Sequence, residues 1–316
     1  MSLSRRDFLK SAAACAAVAL PGAAVLAGSI SSLATPAAAA APGSFDFIFF
    51  TDSHIQPELD AAHGCDMCFG KIAGIESDFA INGGDHVFDT LAVGDTRASM
   101  LFDLYDKTER ALHGKIYHAI GNHDVFGILT ESGVAPSDPL FGKKMYQDRV
   151  GHATFYSFDH KGYHFVVLDS IQPTADRQWE ARIDTAQLHW LSDDLNGIAQ
   201  RAPVIVIVHV PLVTAFASYA GATSTKYNQL TIANASEVLT VLANYNVIAV
   251  LQGHTHINEL VRFKETQFIT CGAVCGNWWR GPRWGFPEGF TVVSLRAGKL
   301  STRYQTYGFH SVAPAA

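Results

Sequence analysis

The chain has 316 residues, enough for one large domain or two small ones, and its 48% of hydrophobic residues can form a substantial core. Charged residues make up 16% and the formal net charge is -6, a balance that argues against a dedicated surface for nucleic-acid polymers, which would need clustered basic residues. The 14 histidines are more informative, because histidine is the commonest metal ligand and the usual acid or base near neutral pH.

The N-terminal segment has the features of an export signal. Arg5 and Arg6 precede an alanine-rich, weakly apolar run, and a twin arginine in that position is typical of twin-arginine export signals. Pro21 interrupts the run before it could span a bilayer, which argues against a membrane helix. We predict that residues 1–41 are a twin-arginine signal peptide recognised by that export machinery. Residues 42–316 are then expected to form a single domain in the periplasm or outside the cell.

The region after the signal alternates short apolar runs with amphipathic stretches, which is typical of an α/β protein. The predicted strands are Phe45–Thr51, Asp78–Ile81, Lys115–Ile120, Thr154–Phe158, Tyr163–Leu168, Val204–Val208, Val247–Leu251, Gln267–Thr270, Phe290–Leu295 and Ser301–Thr306. The predicted helices are Met100–Leu112, Thr185–Gln200 and Ser236–Tyr245. No internal repeat or linker is apparent in this region.

Five polar clusters begin where five of the predicted strands end. They are Asp52-Ser53-His54, Gly83-Gly84-Asp85, Gly121-Asn122-His123-Asp124, His209 and Gly253-His254-Thr255-His256. In open α/β sheets, ligands bind outside the carboxyl ends of the strands. We therefore expect the five clusters to meet at one rim of the fold.

Together the clusters offer oxygen and nitrogen donors and no thiolate. The candidate metal ligands are Asp52, His54, Asp85, Asn122, His209, His254 and His256. Imidazole and carboxylate suit zinc, iron or manganese, and two ions held close together need a shared anionic bridge, for which Asp85 is the natural candidate. Each donor taken singly could instead be a helix cap, a satisfied core histidine or a turn residue, but all of those readings would have to hold at once.

The five clusters resemble the calcineurin-like metallophosphoesterase family, whose pattern reads D-x-H, G-D, G-N-H-[DE], H and G-H-x-H in this order. The resemblance covers residues 52–256 and implies a four-layer αββα sandwich of two mixed β-sheets flanked by helices, with a dinuclear metal site at the carboxyl rim of the strands. It further implies the ligands of each ion. One ion takes Asp52, His54, Asp85 and His256, and the other takes Asp85, Asn122, His209 and His254.

His123 is left outside the implied ligand sets, although it directly follows a candidate ligand. We expect a hydroxide that bridges the two metals to attack phosphorus in line with the leaving oxygen, and His123 to protonate that oxygen as a general acid. Asp124 is expected to orient His123, because an acidic partner commonly fixes an imidazole. His86 is expected to support the site from behind the ligands.

A tryptophan-rich segment follows the last metal motif. Its substrate candidates are Trp278, Trp279, Arg280 and Arg283, since indole can stack on a base or sugar and guanidinium can pair with phosphate. A hydrophobic plug packed over the sheet is an equally good interpretation, because tryptophan serves either purpose.

Four cysteines remain beyond the signal. Cys65 and Cys68 form one pair along the chain, and Cys271 and Cys275 form another. An even count in an exported protein permits disulfides, which is the preferred interpretation, and buried thiols or a structural zinc site are the alternatives.

The leading functional hypothesis is metal-dependent hydrolysis of a small phosphate ester outside the cytoplasm, with a phosphodiester favoured over a phosphomonoester. Within the family, the chain looks nearer to bacterial cyclic-nucleotide phosphodiesterase-type enzymes than to purple acid phosphatases. The latter carry a D-x-x-Y motif, whereas His86, Val87 and Phe88 follow Asp85 here. The alternative is a catalytically silent metal-binding or interaction protein on the same fold. Oligomeric state is not indicated by the sequence.

Overall fold

Two large β-sheets form the centre of the fold. The computed structural model describes residues 42–151, 153–199, 201–221 and 229–315, so the expected signal peptide lies outside the described residues. The first sheet has the strand order β13-β12-β1-β2-β3 and the second has the order β10-β11-β9-β8-β5-β4. The strands are β1 Phe45–Phe50, β2 Phe79–Asn82, β3 Lys115–His118, β4 Tyr156–His160, β5 Tyr163–Leu168, β6 Ile171–Pro173, β7 Trp179–Ala181, β8 Val204–Val208, β9 Val247–Gln252, β10 Glu259–Phe263, β11 Thr266–Thr270, β12 Gly289–Arg296 and β13 Lys299–Thr306.

Both sheets are mixed, with parallel strands at their centres. In the first sheet β1, β2 and β3 run parallel, β12 pairs antiparallel with β1, and β13 pairs antiparallel with β12. In the second sheet β5, β8, β9 and β11 run parallel, and β4 and β10 are antiparallel edge strands. Strands such as Val204–Val208 are wholly buried, as expected for parallel strands covered on both faces.

Alternate residues of the strands divide between two hydrophobic layers. Phe47 and Phe49 of β1 pack with Phe165 of β5 and Ile207 of β8 in a core that lies between the sheets. Their neighbour Ile48 points the other way, into the core beneath the helices. This period of two is what places one sheet against the other and leaves a second apolar face on each for helices to cover.

Helices cover the outer faces of the two sheets. They are α1 Ala61–Ala73, α2 Asp95–Glu109, α3 Lys144–Val150, α4 Thr185–Gly197, α5 Phe216–Tyr219 and α6 Ala235–Leu242. Phe69 of α1 packs its ring 5.3 Å from that of Phe50 of β1, and Leu191 of α4 and Val238 of α6 belong to the same buried layer as the outer residues of β8. The helix, sheet, sheet, helix order confirms the expected α/β sandwich of two mixed sheets.

Candidate metal centre

Parallel strands of both sheets end at the same rim, and the polar clusters follow those ends. Asp52 and His54 follow β1, and Asp85 follows β2. In the loop after β3, Asn122 lies in a 3₁₀ turn, Asn122–Asp124. His209 directly follows β8, and His254 and His256 follow β9. All seven candidate ligands are therefore carried on the carboxyl ends of strands, three strands from one sheet and two from the other.

Asp85 lies at the centre of the group of candidate ligands. Its Oδ2 atom lies 3.1 Å from Nε2 of His209 and 3.4 Å from Nε2 of His54. Asp52 is similarly close to another imidazole, with Oδ1 3.3 Å from Nε2 of His256. One carboxylate oxygen thus faces imidazoles from both halves of the fold, which is the arrangement that a ligand shared between two cations needs.

Donor atoms of the described residues come close enough together for a metal ion in three groups. The ligand atoms of Asp85, His209 and His254 all lie within 4.8 Å of one another, and so do those of His54, Asp85 and His123 and those of His54, His256 and Cys275. The first two groups share Asp85, and the last two share His54.

Backbone hydrogen bonds fix which nitrogen each imidazole presents to the centre. The Nδ1 atoms of His209 and His256 donate to the carbonyl oxygens of Gly83 and Gly276, at 2.9 and 2.7 Å. Their Nε2 atoms are therefore the ones that face the centre and are left for a metal. His254 is reversed, because its Nε2 donates to the carbonyl of Gln229 at 2.7 Å, which leaves Nδ1 for a metal. Such carbonyl partners orient metal-binding histidines and set their tautomers.

The charge states also suit metal binding. Burial by itself would raise the pKa of Asp85, but the neighbouring His209 and His123 hold it well below its usual range, so the carboxylate is anionic. Burial and the nearby His209 lower the pKa of His254 to about 4, which keeps its imidazole neutral. Burial would likewise lower the pKa of His209, but the carboxylates of Asp85 and Asp52 raise it to about 9. A cation in place of that proton would balance the same carboxylates.

Among the buried polar atoms that make no hydrogen bond within the described residues, two belong to candidate ligands and test whether a metal fits here. They are Oδ1 of Asn122 and Nε2 of His209, and both residues are almost fully buried. Buried polar atoms are normally satisfied, and an ion is one of the few partners that satisfies an oxygen and an imidazole nitrogen together. The donor set therefore fits metal ions.

The backbone around the ligands is strained. Asp52, His54, Asp85, His254 and His256 all have positive φ, between 40° and 71°. Residues with side chains rarely adopt this left-handed region, and such strain concentrates at functional sites.

A family model described as calcineurin-like phosphoesterase matches residues 45–258, which is more than half of the chain and includes all the candidate ligands. The chain belongs to the calcineurin-like phosphoesterase family. Members of this family are typically dimetal-dependent, in agreement with the paired donor groups. A model of the twin-arginine translocation signal sequence matches residues 2–22, so the protein is exported across the membrane, to the periplasm or the extracellular space.

Solved structures share this fold at low sequence identity. A dimetal phosphatase from Danio rerio is 14% identical with a TM-score of 0.60, and the match covers 84% of this chain and 96% of that one. GAP50, described as the anchor in the inner membrane complex of Plasmodium, is 16% identical with a TM-score of 0.53, covering 86% and 90%. No curated protein matches the chain. In the described part of the chain, no helix has the length and apolar character needed to cross a membrane.

Within this calcineurin-like phosphoesterase, Asp124 does not make the expected contact with His123. Its carboxylate accepts hydrogen bonds from the backbone N–H groups of Asp85 at 3.0 Å, His86 at 2.9 Å and Gly121 at 2.9 Å, and it pairs with Nδ1 of His86 at 2.9 Å. Asp124 therefore holds the Asp85 loop in place. Sequence adjacency was misleading, because neighbouring side chains of a 3₁₀ turn point in different directions.

The carboxylate nearest the imidazole of His123 belongs instead to Asp89. Nδ1 of His123 lies 3.8 Å from Oδ1 of Asp89, too far for a direct hydrogen bond, and both side chains are partly exposed. His86, expected behind the ligands, is buried and joins Asp124 to His118, with its Nε2 3.1 Å from Nδ1 of His118.

The tryptophan-rich segment divides between the site and the core. The Trp278 ring lies against His54, His256 and His123, with centroid distances of 4.1, 4.8 and 5.2 Å. Trp279 is fully buried, and its Nε1 donates to the carbonyl of His54 at 3.0 Å. Its predicted substrate contact is therefore wrong, and the plug interpretation holds for this residue.

The two arginines of that segment lie at different depths. Arg280 is exposed and reaches the carbonyl of Ala313 at 3.4 Å. Arg283 is half-buried and donates to the carbonyl of Thr255 at 3.0 Å, which ties the segment to the loop between His254 and His256.

The four cysteines are free thiols in the structure, so the preferred disulfide interpretation is wrong. All four are buried. Sγ of Cys275 lies 3.6 Å from Nδ1 of His256, on the side of the ring away from Asp52, and burial raises the pKa of this thiol. This thiol nevertheless forms a donor group with His54 and His256.

Gly121 is a position where a side chain would disturb the centre directly. A Cβ atom there would overlap Oδ1 of Asp85 and lie only 2.7 Å from its Cγ. We expect Gly121→Ala to displace the Asp85 loop, lowering metal content well below two ions per chain and stability by about 1–3 kcal/mol. Metal analysis after dialysis and thermal unfolding measure both effects. Gly70→Ala is the control, because its Cβ would meet nothing within 4 Å. Normal metal content in Gly121→Ala would contradict the close approach.

Proposed function

We propose that residues 42–316 form a single-domain, exported phosphodiesterase with two metal ions at this centre. Asp52, His54, Asp85 and His256 would hold one ion, and Asp85, Asn122, His209 and His254 would hold the other. The observation that carries the proposal is the position of Asp85, whose Oδ2 lies 3.1 Å from His209 and 3.4 Å from His54. Manganese, iron or zinc suits this donor set.

When bound, the two ions would supply Lewis-acid polarisation of the phosphoryl group and a hydroxide nucleophile at neutral pH. The chain's own side chains orient the metal ligands and move a proton. The carboxylate of Asp124 fixes the Asp85 loop through three hydrogen bonds, and a fourth joins it to the backbone N–H of Gly121. His123 stands beside His54 with ring centroids 4.7 Å apart and remains partly exposed, so it can reach the leaving oxygen and protonate it as general acid.

A diester is favoured over a monoester by the charges beside the centre. Asp89 and Glu58 line the groove next to His123, together with the cationic side chain of Arg280. Glu58 is paired with Arg97 at 2.7 Å, which leaves Asp89, among the described residues, as the unpaired carboxylate beside His123. A monoester carries a second negative charge at neutral pH, which the carboxylate of Asp89 would oppose. A small phosphodiester is therefore the proposed substrate class, and no nucleic-acid polymer is expected.

The test is hydrolysis by the mature protein loaded with manganese, iron or zinc. Substrates are activated diesters and monoesters, cyclic nucleotides and phospholipids, and bound metal is measured in parallel by mass spectrometry. We expect two ions per chain, turnover that is lost on chelation and restored by metal, and higher kcat/KM for diesters. Two bound ions with no turnover of any ester would overturn the proposal in favour of a silent metal-binding protein.

A further inference from the structure

A groove opens beside the metal centre next to His123. Its volume is about 760 Å³, and its lining includes Leu59, Phe88, Asp89, His123, Trp278 and Arg280. His123 also belongs to the group of donors formed with His54 and Asp85. The groove is therefore continuous with the centre, and His123 lies where the two meet.

Aromatic rings form part of the wall of this groove. The rings of Phe88 and Trp278 are 6.0 Å apart and nearly perpendicular. Trp278 rests on the imidazoles of His54 and His256, at 4.1 and 4.8 Å, so its position is fixed before anything enters the groove. A pre-positioned indole offers a flat apolar surface at little entropic cost to a ligand.

Two bulky side chains of the groove are held in strained backbone conformations. Leu59 and Trp278 both have φ of 57°, in the left-handed region that bulky residues avoid. Both remain partly exposed, so core burial does not fully compensate the strain. Strain of this kind persists at ligand sites, where the position of the side chain is what matters.

We propose that this groove receives the leaving alcohol of the substrate and selects alcohols that carry an uncharged, flat aromatic or heteroaromatic ring. The inference rests on the proposed function, in which His123 protonates the leaving oxygen. Water adds to phosphorus and releases one proton to solvent, the bond from phosphorus to the leaving oxygen breaks, and that oxygen takes a proton from His123, which regains one from solvent. The departing alcohol must then lie beside His123, where the groove begins. The carboxylate of Asp89, 3.8 Å from His123, disfavours an anionic alcohol there.

The test compares methylphosphonate monoesters, each with a single ester bond, of 2-phenylethanol, 2-cyclohexylethanol and 1-propanol. These alcohols have similar acidity, so differences in kcat/KM report on binding of the alcohol. We expect the phenyl ester to exceed the other two by about 3- to 10-fold in the metal-loaded protein. Trp278→Leu should remove most of that preference, and Trp278→Phe should retain part of it.

Trp284→Leu is the matched control, because Trp284 lies in the same segment, is 60% exposed and packs on Phe216 away from the groove. It should keep the wild-type preference. Metal content and circular dichroism of each variant establish that it is folded. The groove assignment would be overturned if Trp278→Leu kept the wild-type preference or if the phenyl and cyclohexyl esters reacted equally. Absence of turnover on every ester, including activated ones, would instead count against the proposed function.

Discussion

Asp85→Asn should lower metal content from two ions per chain to one or fewer and reduce turnover by about 10³-fold or more. Asparagine has nearly the same shape but no charge, so it cannot hold two cations through one oxygen. The centre would then lose the several kcal/mol of transition-state stabilisation that the ions supply. Each 1.36 kcal/mol added to the activation free energy lowers the rate about tenfold. Metal analysis and kcat/KM with an activated diester are the two measurements.

The matched control for this variant is Asp89→Asn in the same loop. Asp89 lies 3.8 Å from His123 and is outside the proposed ligand sets, so the variant should keep both ions. An Asp85→Asn protein with two tightly bound ions and wild-type turnover would show that Asp85 is not the shared ligand. A folded Asp85→Asn protein is expected, because Oδ1 of residue 85 can still accept from the backbone N–H of His123 at 2.8 Å.

Most strands of the two large sheets and the rim were predictable from the sequence because their signals are local, although the edge strand β10 and the short strands β6 and β7 were not predicted. A run such as Val204–Val208 is apolar at every position, and the predicted strand ends differ from those observed by two residues at most. Each candidate ligand follows such a run directly. The convergence of the five clusters then depends only on parallel strands ending at the same rim, a general property of these sheets.

Helix α1 shows why some of the fold could not be predicted. Gly64 and Gly70 weaken the helical pattern of Ala61–Ala73, and no predicted helix covered it. Tertiary packing explains the glycine at position 64, because a Cβ atom on Gly64 would overlap the Trp279 ring and lie 2.9 Å from its Cε3. The contact joins residues more than two hundred positions apart, and no local pattern can report it.

The roles of neighbouring side chains were the part of the site that the sequence predicted least well. Trp278 and Trp279 are identical in type and adjacent, and both have positive φ, yet one faces the imidazoles and the other is buried in the core. Asp124 likewise follows His123 in the chain but binds the Asp85 loop. Which way a side chain points within an irregular loop is decided by its packing partners, and sequence spacing does not contain them.

His123→Ala should reduce turnover by about 10²- to 10⁴-fold on esters of poor leaving groups, such as 2-phenylethyl methylphosphonate. The variant can no longer donate a proton to the departing alkoxide. Turnover of the 4-nitrophenyl ester should fall much less, because nitrophenolate leaves without a proton. Rates with the two esters, measured on protein of verified metal content, give the comparison.

This leaving-group dependence separates acid catalysis from damage to the centre. His123 lies close to His54 and Asp85, so its removal could also disturb the metals. Such a disturbance would slow both esters equally, because both depend on the same ions, whereas loss of a proton donor affects only the alkoxide. His63→Ala, which removes an exposed histidine of α1, should leave both rates unchanged. An equal loss on the two esters with both ions retained would remove His123 from the role of general acid.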